Sequence, residues 1–225
     1  MQQEESIMAS VNAETMPTRR RPRRAGLLSG LAVAVFIAAV GFDTAVVPIG
    51  SEADQREAGF SPVAFGNEQF PRIRDYILDN AVEAPALSAA IDADSGAAAE
   101  EYGVSAGIGA VIPVHFTGTV GEGSTGIFSI SIDGLPADRQ VRVQTGPAIN
   151  GTDLRDATGT ISFGQFTNQI EYQDAGSGIN NVMKAEVLEG LDREALPGQQ
   201  IEVTGVFRLI NPDNWFVTPV ALEVR

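Results

Sequence analysis

The chain has 225 residues, 44% of them hydrophobic, and a net charge of −14 from 15 Lys+Arg against 29 Asp+Glu; it contains no cysteine and one histidine, His115. No cysteine means no disulfide framework, thiol nucleophile, thiolate metal site or lipid-modified cysteine, and one histidine leaves a multi-histidine metal centre without ligands. The acid excess opposes nucleic-acid binding, which draws its affinity from neutralised phosphates.

Residues 1–24 are polar, aperiodic and basic at their end, with five arginines between Arg19 and Arg24. They read as a disordered cytoplasmic tail. Ala25 to Phe42 carries no charge and, after Asp43, Thr44–Gly50 is again uncharged. A basic flank before an apolar run is the layout of a secretory signal or signal-anchor, and residues 25–50 are expected to form a single membrane helix. Ala39-Val40-Gly41 offers small residues to a signal peptidase, so cleavage is the alternative. The length of the run favours retention. The arginines stay cytoplasmic, so the remainder faces the periplasm from the inner membrane, or is free there if the signal is cleaved. Beyond Gly41 there are 10 basic and 26 acidic residues, a charge of −16. Such a domain is repelled by anionic surfaces.

Residues 51–104 read as a small helical region packed on a barrel formed by the rest of the chain. Phe70, Ile73, Tyr76 and Ile77 recur at helical spacing, with a cap near Asn67 and Pro71 in the first turn. Leu87, Ala90 and Ile91 continue on a second helix after Pro85, and Ala97–Tyr102 forms a third that ends at Gly103.

From Ser105 the period becomes two. Ile112, Val114, Phe116 and Val120 mark one strand, Phe128, Ile130 and Ile132 a second after a loop at Gly121–Gly126, and Val141, Val143 and Thr145 a third. A weaker strand pair is expected at Thr160–Phe163 and Gln169–Tyr172. An amphipathic helix follows, carrying Ile179, Val182, Met183, Val187, Leu188 and Leu191. Ile201–Leu209 and Phe216–Val224 supply two more strands. Three strands, a helix and two strands is the order of an OB-like small β-barrel, here over 105–225. The fold class is therefore mostly β with a helical N-terminal region, α+β.

Several motifs have simpler readings. Gly103-Val104-Ser105-Ala106-Gly107 spells a hydrolase nucleophile elbow, but an elbow needs a strand before the serine and a helix after it. Gly121–Gly126 spells a dinucleotide fingerprint, yet a strand follows where a helix should open. Asp92–Gly96 resembles a calcium loop that lacks its final glutamate and reads as an inter-helix turn. His115 falls on the polar face of its strand. No catalytic residues, metal ligands or cofactor are expected, and the chain reads as a non-enzyme.

The densest polar stretch runs from Gln144 to Asn181. Gln144, Asn150, Arg155, Asp156, Phe163, Phe166, Asn168, Gln169, Tyr172 and Asn180 are the candidates for contact with a ligand or partner. Amides and carboxylates hydrogen-bond hydroxyl groups while aromatic faces cover apolar sugar faces, which suits a small polar ligand. The competing reading has these side chains tie down loop backbone, with Arg155 paired to a carboxylate.

The same stretch carries a family resemblance. Gly146-Pro147 with Ile149, Gly151-Thr152, Leu154-Arg155-Asp156-Ala157, Phe163, Phe166–Ile170, Tyr172, Asn180 and Thr218-Pro219-Val220 resemble the predicted periplasmic lipoproteins of family twenty-two ninety-one in the domain-of-unknown-function series. The resemblance covers roughly Val46 to the C-terminus. It implies an exported, envelope-associated protein of Gram-negative bacteria, with an accessory role beside sugar-type ABC transporters and no catalytic residues to carry over. Relatives carry a lipid-modified cysteine just before a Val-Pro-Ile-like segment. Here that region reads Gly41–Ile49 with no cysteine, so a retained membrane helix is the expected substitute.

Overall fold

The computed structural model describes residues 59–225. The basic tail and the apolar run at 25–50 lie outside the described residues. Among the described residues no helix is long and apolar enough to cross a membrane.

Helix α1 spans Pro62–Asn80. Ser61 caps it, accepting from the Ala64 amide at 3.3 Å, and Pro62 occupies the first turn, where its missing N–H costs nothing. The helix thus begins about six residues before the expected Asn67 cap, and Pro71 stands inside it rather than in its first turn. Phe70, Ile73 and Ile77 are its buried stripe. A two-residue strand β1, Val82–Glu83, leads into α2, Ala84–Ala93, with Pro85 at its start. Asp94 then caps α3, Ser95–Tyr102, its Oδ1 accepting from the Gly96 and Ala97 amides at 2.9 and 3.0 Å. The calcium-like spelling is therefore a helix cap.

A short β2, Val104–Ser105, pairs with the long β3, Ala110–Ser124. Strand β3 turns directly into β4, Ile127–Ser131, through Thr125-Gly126, both with positive φ. A two-residue hairpin turn needs that conformation. Most of the expected Gly121–Gly126 loop is consequently strand, and no phosphate-binding turn exists there. Strands β5 (Gln140–Gln144), β6 (Gln200–Leu209) and β7 (Asn214–Val224) complete the sheet. The order β3-β4-β5-β7-β6 returns to β3 through an antiparallel β3–β6 pairing that runs from Ala110↔Leu209 to Thr119↔Gln200. The long strands thus form a closed circuit, with β5 and β7 the parallel pair in it.

Between β5 and β6 lie the short α4, Asp153–Asp156, a 3₁₀ turn at Phe163–Gln165, and α5, Gln169–Met183, which runs on into a π turn at Lys184–Leu188. The expected strand pair at 160–163 and 169–172 is absent. Gln169–Tyr172 is instead the first turn of α5. Asn168 caps that turn by accepting from the Glu171 amide at 2.9 Å, while Glu171 Oε2 accepts from the Thr167 amide at 2.9 Å. This reciprocal pairing satisfies two backbone donors and favours helix over strand. Leu191 falls beyond the π turn, outside the expected helix stripe.

Two apolar clusters divide on the two faces of the sheet. Ile112, Phe116, Val203, Phe207 and Trp215 form one with Leu87 and Ile91 of α2. Val111, Val206 and Val220, from the opposite faces of the same strands, form the other with Phe70, Ile73 and Ile77 of α1 and Ile179 and Met183 of α5. Helices α1 and α5 approach backbone to backbone. A Cβ on Gly178 would collide with the Pro62 carbonyl oxygen, and one on Gly66 with the Gly178 carbonyl. Only glycine fits at either position.

Gly178→Ala is expected to destabilise the fold by about 3 kcal/mol, the upper end for overpacking a rigid contact. Gly164→Ala, where a Cβ meets open space, is expected to leave stability unchanged. Chemical denaturation of both variants checks this pair.

Candidate functional site

Strand β6 directs Val206 and Arg208 to the helical face of the sheet. An arginine there needs carboxylates, and α4 supplies two. Arg208 Nε donates to Asp153 Oδ1 at 2.9 Å and Nη2 to Asp156 Oδ2 at 2.7 Å. Its Nη1 donates to the Ala106 carbonyl, which ties the loop after β2 to the same point. Thr152 Oγ1 also donates to Asp156 Oδ2, at 2.9 Å. Asp156 Oδ1 accepts from Arg155 Nε at 2.8 Å, and Arg155 Nη1 donates to the Tyr172 carbonyl at 3.0 Å. The Arg155 guanidinium lies 3.6 Å from the centroid of the Tyr172 ring. Stacked, hydrogen-bonded arginines of this kind have little freedom to move.

Beside this network lies a cleft of about 400 Å³, lined among others by Ser105, Arg155, Asp156, Ser162, Phe163 and Tyr172. Four of the residues singled out from sequence therefore converge: Arg155, Asp156, Phe163 and Tyr172. Phe163 meets Tyr172 edge-on at 5.7 Å and stays half exposed. Phe166 stands next to it in a chain of rings, 5.3 Å from Tyr172, 5.5 Å from Phe65 and 5.3 Å from Phe60.

The other candidates serve the backbone. Gln144 is fully buried and clamps the following loop, donating to the Asn150 carbonyl at 3.1 Å and accepting from the Asn150 amide at 2.9 Å. Asn150 contributes that backbone, not its side chain. Asn180 Nδ2 donates to the Gly151 carbonyl at 3.0 Å and holds α5 against the same loop. Asn168 is the α5 cap, and Gln169 is exposed in the first turn. Asp153, Thr152 and Arg208 were not among the candidates. Arg208 was visible as a charge in the alternation of β6, but the sequence does not say which face its phase meets.

The tempting catalytic groups stay apart. Ser105 pairs with Ala110 on β2–β3, and His115 lies five residues further along β3, about 17 Å at strand rise. His115 Nδ1 is 2.9 Å from Thr204 Oγ1, and its Nε2 is 3.8 and 3.7 Å from Glu83 and Glu202 carboxylate oxygens.

Burial raises the carboxyl of Asp153 above its ordinary 3.8; Arg208 opposes this and the charge of Asp156 adds to it. Burial works against the charged Arg208, but its bonds and charges from Asp156 and Asp153 outweigh that and raise its value. A carboxyl raised in the fold binds its proton more tightly there than in the open chain. Its contribution to stability is therefore greatest below 3.8 and is lost as pH rises through the folded value. Asp153→Asn is expected to remove that slope, so wild type loses stability relative to the variant on going from acid toward neutrality. Arg208→Ala, which leaves the largely buried Asp153 carboxylate unpaired and strips Asp156 of one of its two arginines, is expected to cost about 3 kcal/mol. Denaturation series across pH test both.

A search of curated proteins finds no match. Among solved structures the chain is similar to an OB-fold protein from Thermotoga maritima, with a TM-score of 0.60 and 18% identity over 74% of this chain and 99% of the other. That likeness fits the closed strand order and shows the fold alone. The family model described as "Predicted periplasmic lipoprotein (DUF2291)" matches residues 31–223. The chain therefore belongs to this family of predicted periplasmic lipoproteins of unknown function, and membership supports a periplasmic location.

Proposed function

We propose that the chain is a non-enzymatic periplasmic module, held at the inner membrane by its own N-terminal apolar run, that docks on an envelope partner, a sugar-type ABC transporter component. The closed strand circuit is read as a small OB-like barrel, and Ala25–Gly50 as a single membrane helix before it. Two features support the anchor. The family is described as lipoproteins, and this chain has no cysteine to carry a lipid. A retained apolar run performs the same tethering.

The observation that carries the docking reading is a chain of half-buried and exposed aromatic rings that joins the segment around the start of α1 to the start of α5. Phe60, Phe65, Phe166, Tyr172 and Phe163 form a continuous chain of rings with centroids 5.3 to 5.7 Å apart. Val63 and Ile170, close in sequence to Phe60 and Phe166, are 68% and 71% exposed. Gathered apolar side chains of this size mark interaction surfaces, whereas scattered ones do not. Charge does not drive the contact, because the exported part carries −16 and needs a partner that tolerates it.

Burying one such side chain contributes about 2 kcal/mol, so Ile170→Ser is expected to weaken docking roughly tenfold or more. The check is a photo-crosslinking residue at position 170 in native membranes, with position 133 on the exposed β4–β5 turn as the control. Cross-links from 170 to a transporter component, absent from 133 and lost with Val63→Ser, support the reading. Equal labelling from both positions, or none from 170, refutes it.

A further inference from the structure

The cleft beside α4 borders the docking surface, sharing Phe163 and Tyr172 with it, and has the chemistry of a small-molecule site. Arg155 is 94% buried as a residue, being 6% exposed, yet it lines the cleft. Two of its three guanidinium nitrogens are committed, Nε to Asp156 and Nη1 to the Tyr172 carbonyl. Among the described residues Nη2 has no protein hydrogen-bond partner, and it is not one of the sealed, unpartnered nitrogens of this protein. It remains a donor that solvent or a ligand can reach. Asp156 Oδ2 already accepts two bonds, from Thr152 and Arg208, but Oδ1 accepts only one. A carboxylate oxygen has room for two. The donor and the acceptor with capacity to spare thus belong to two side chains joined by the 2.8 Å bond from Arg155 Nε to Asp156 Oδ1.

The charge of the site narrows the ligand. Arg155 and Arg208 balance Asp153 and Asp156, so the network is neutral as it stands. An anion would add an unpaired negative charge beside two largely buried carboxylates, in a chain whose part beyond Gly41 carries −16. A cation would meet the Arg155 guanidinium. A neutral group that both gives and accepts a hydrogen bond meets neither penalty, and two adjacent hydroxyls supply both roles. The half-exposed Phe163 ring forms an apolar wall for the carbon face of such a molecule. About 400 Å³ lies within the ordinary range for small-molecule sites.

We propose that this cleft binds a neutral polyhydroxylated molecule of monosaccharide size, whose adjacent hydroxyls bridge Arg155 Nη2 and Asp156 Oδ1 while its C–H face covers Phe163. The test uses the full chain in detergent, titrated calorimetrically with D-glucose and myo-inositol, and with gluconate as the anionic counterpart. Saturable binding of glucose or inositol is expected, with gluconate weaker. Ser162 is exposed on the cleft wall, so Ser162→Trp is expected to abolish binding without lowering the unfolding midpoint. Phe163→Ala is expected to weaken it roughly tenfold, as for a lost aromatic face. No binding of either neutral polyol, tighter binding of gluconate, or binding untouched by Ser162→Trp in a folded protein would overturn the assignment. Cross-linking from position 170 is unaffected by these outcomes, so the docking reading stands or falls separately.

Discussion

One strand arginine organises this molecule. Arg208 projects from β6 into the layer where apolar side chains of α1 and α5 pack, and it is held there by two carboxylates and a carbonyl from elsewhere in the chain. Taking a guanidinium from water into that layer is costly unless every donor finds an acceptor. The cost is offset only when α4 presents Asp153 and Asp156 together and the loop after β2 brings the Ala106 carbonyl. A half-buried charge therefore dictates where three separate segments sit. Apolar packing alone would tolerate many placements of α4, whereas the fork of an arginine tolerates few.

The consequence spreads through shared atoms. Asp156 is common to Arg208, Thr152 and Arg155, so fixing one fixes the others. Arg155 in turn lies over Tyr172 in the first turn of α5, and Tyr172 sets the angle of Phe163 and Phe166. From there the ring chain reaches Phe65 on α1 and Phe60 just before it. The close approach of α1 and α5 at Gly66 and Gly178 is the second anchor of this arrangement. A polar network at one end of α5 and a glycine contact further along it determine its position against the sheet. The cleft is the space left between α4, the β2–β3 loop and the first turn of α5.

The strands were legible because a period of two survives wherever one face is polar, as in Phe128–Ile132. It weakens in Ala110–Phe116, which is buried on both faces except at His115, yet the run of apolar residues still marks a strand. The closed order followed from counting elements. What misled was local. Thr160–Tyr172 offers aromatic and β-branched residues at near-alternate positions, and that pattern suggests strands. Asn168 followed three residues later by Glu171 is a helix-start signature that outranks it, because caps satisfy backbone donors that a solvated strand edge leaves to water. Arg155 paired with a carboxylate is legible in the polar stretch, and the structure shows that pair with Asp156. Arg208 could not be joined to that pair from sequence, since the partners are more than fifty residues apart and meet only after the strand takes its place in the sheet.

That pairing also explains why structural and functional readings of the same residues need not compete. Gln144, Asn168 and Asn180 spend side-chain hydrogen bonds on loop and cap backbone, and none of the three lines the cleft. Arg155 and Asp156 are equally structural, but an arginine has five N–H donors and a carboxylate about four acceptor sites, more than the fold consumes. Residues with surplus valence, held rigid by the bonds they already make, are the ones a cleft can use without a further ordering cost. The distinction within the polar stretch is thus one of place: the amides hold loops away from the cleft, while the charged pair lines it, is fixed by the fold and still has hydrogen bonds to give.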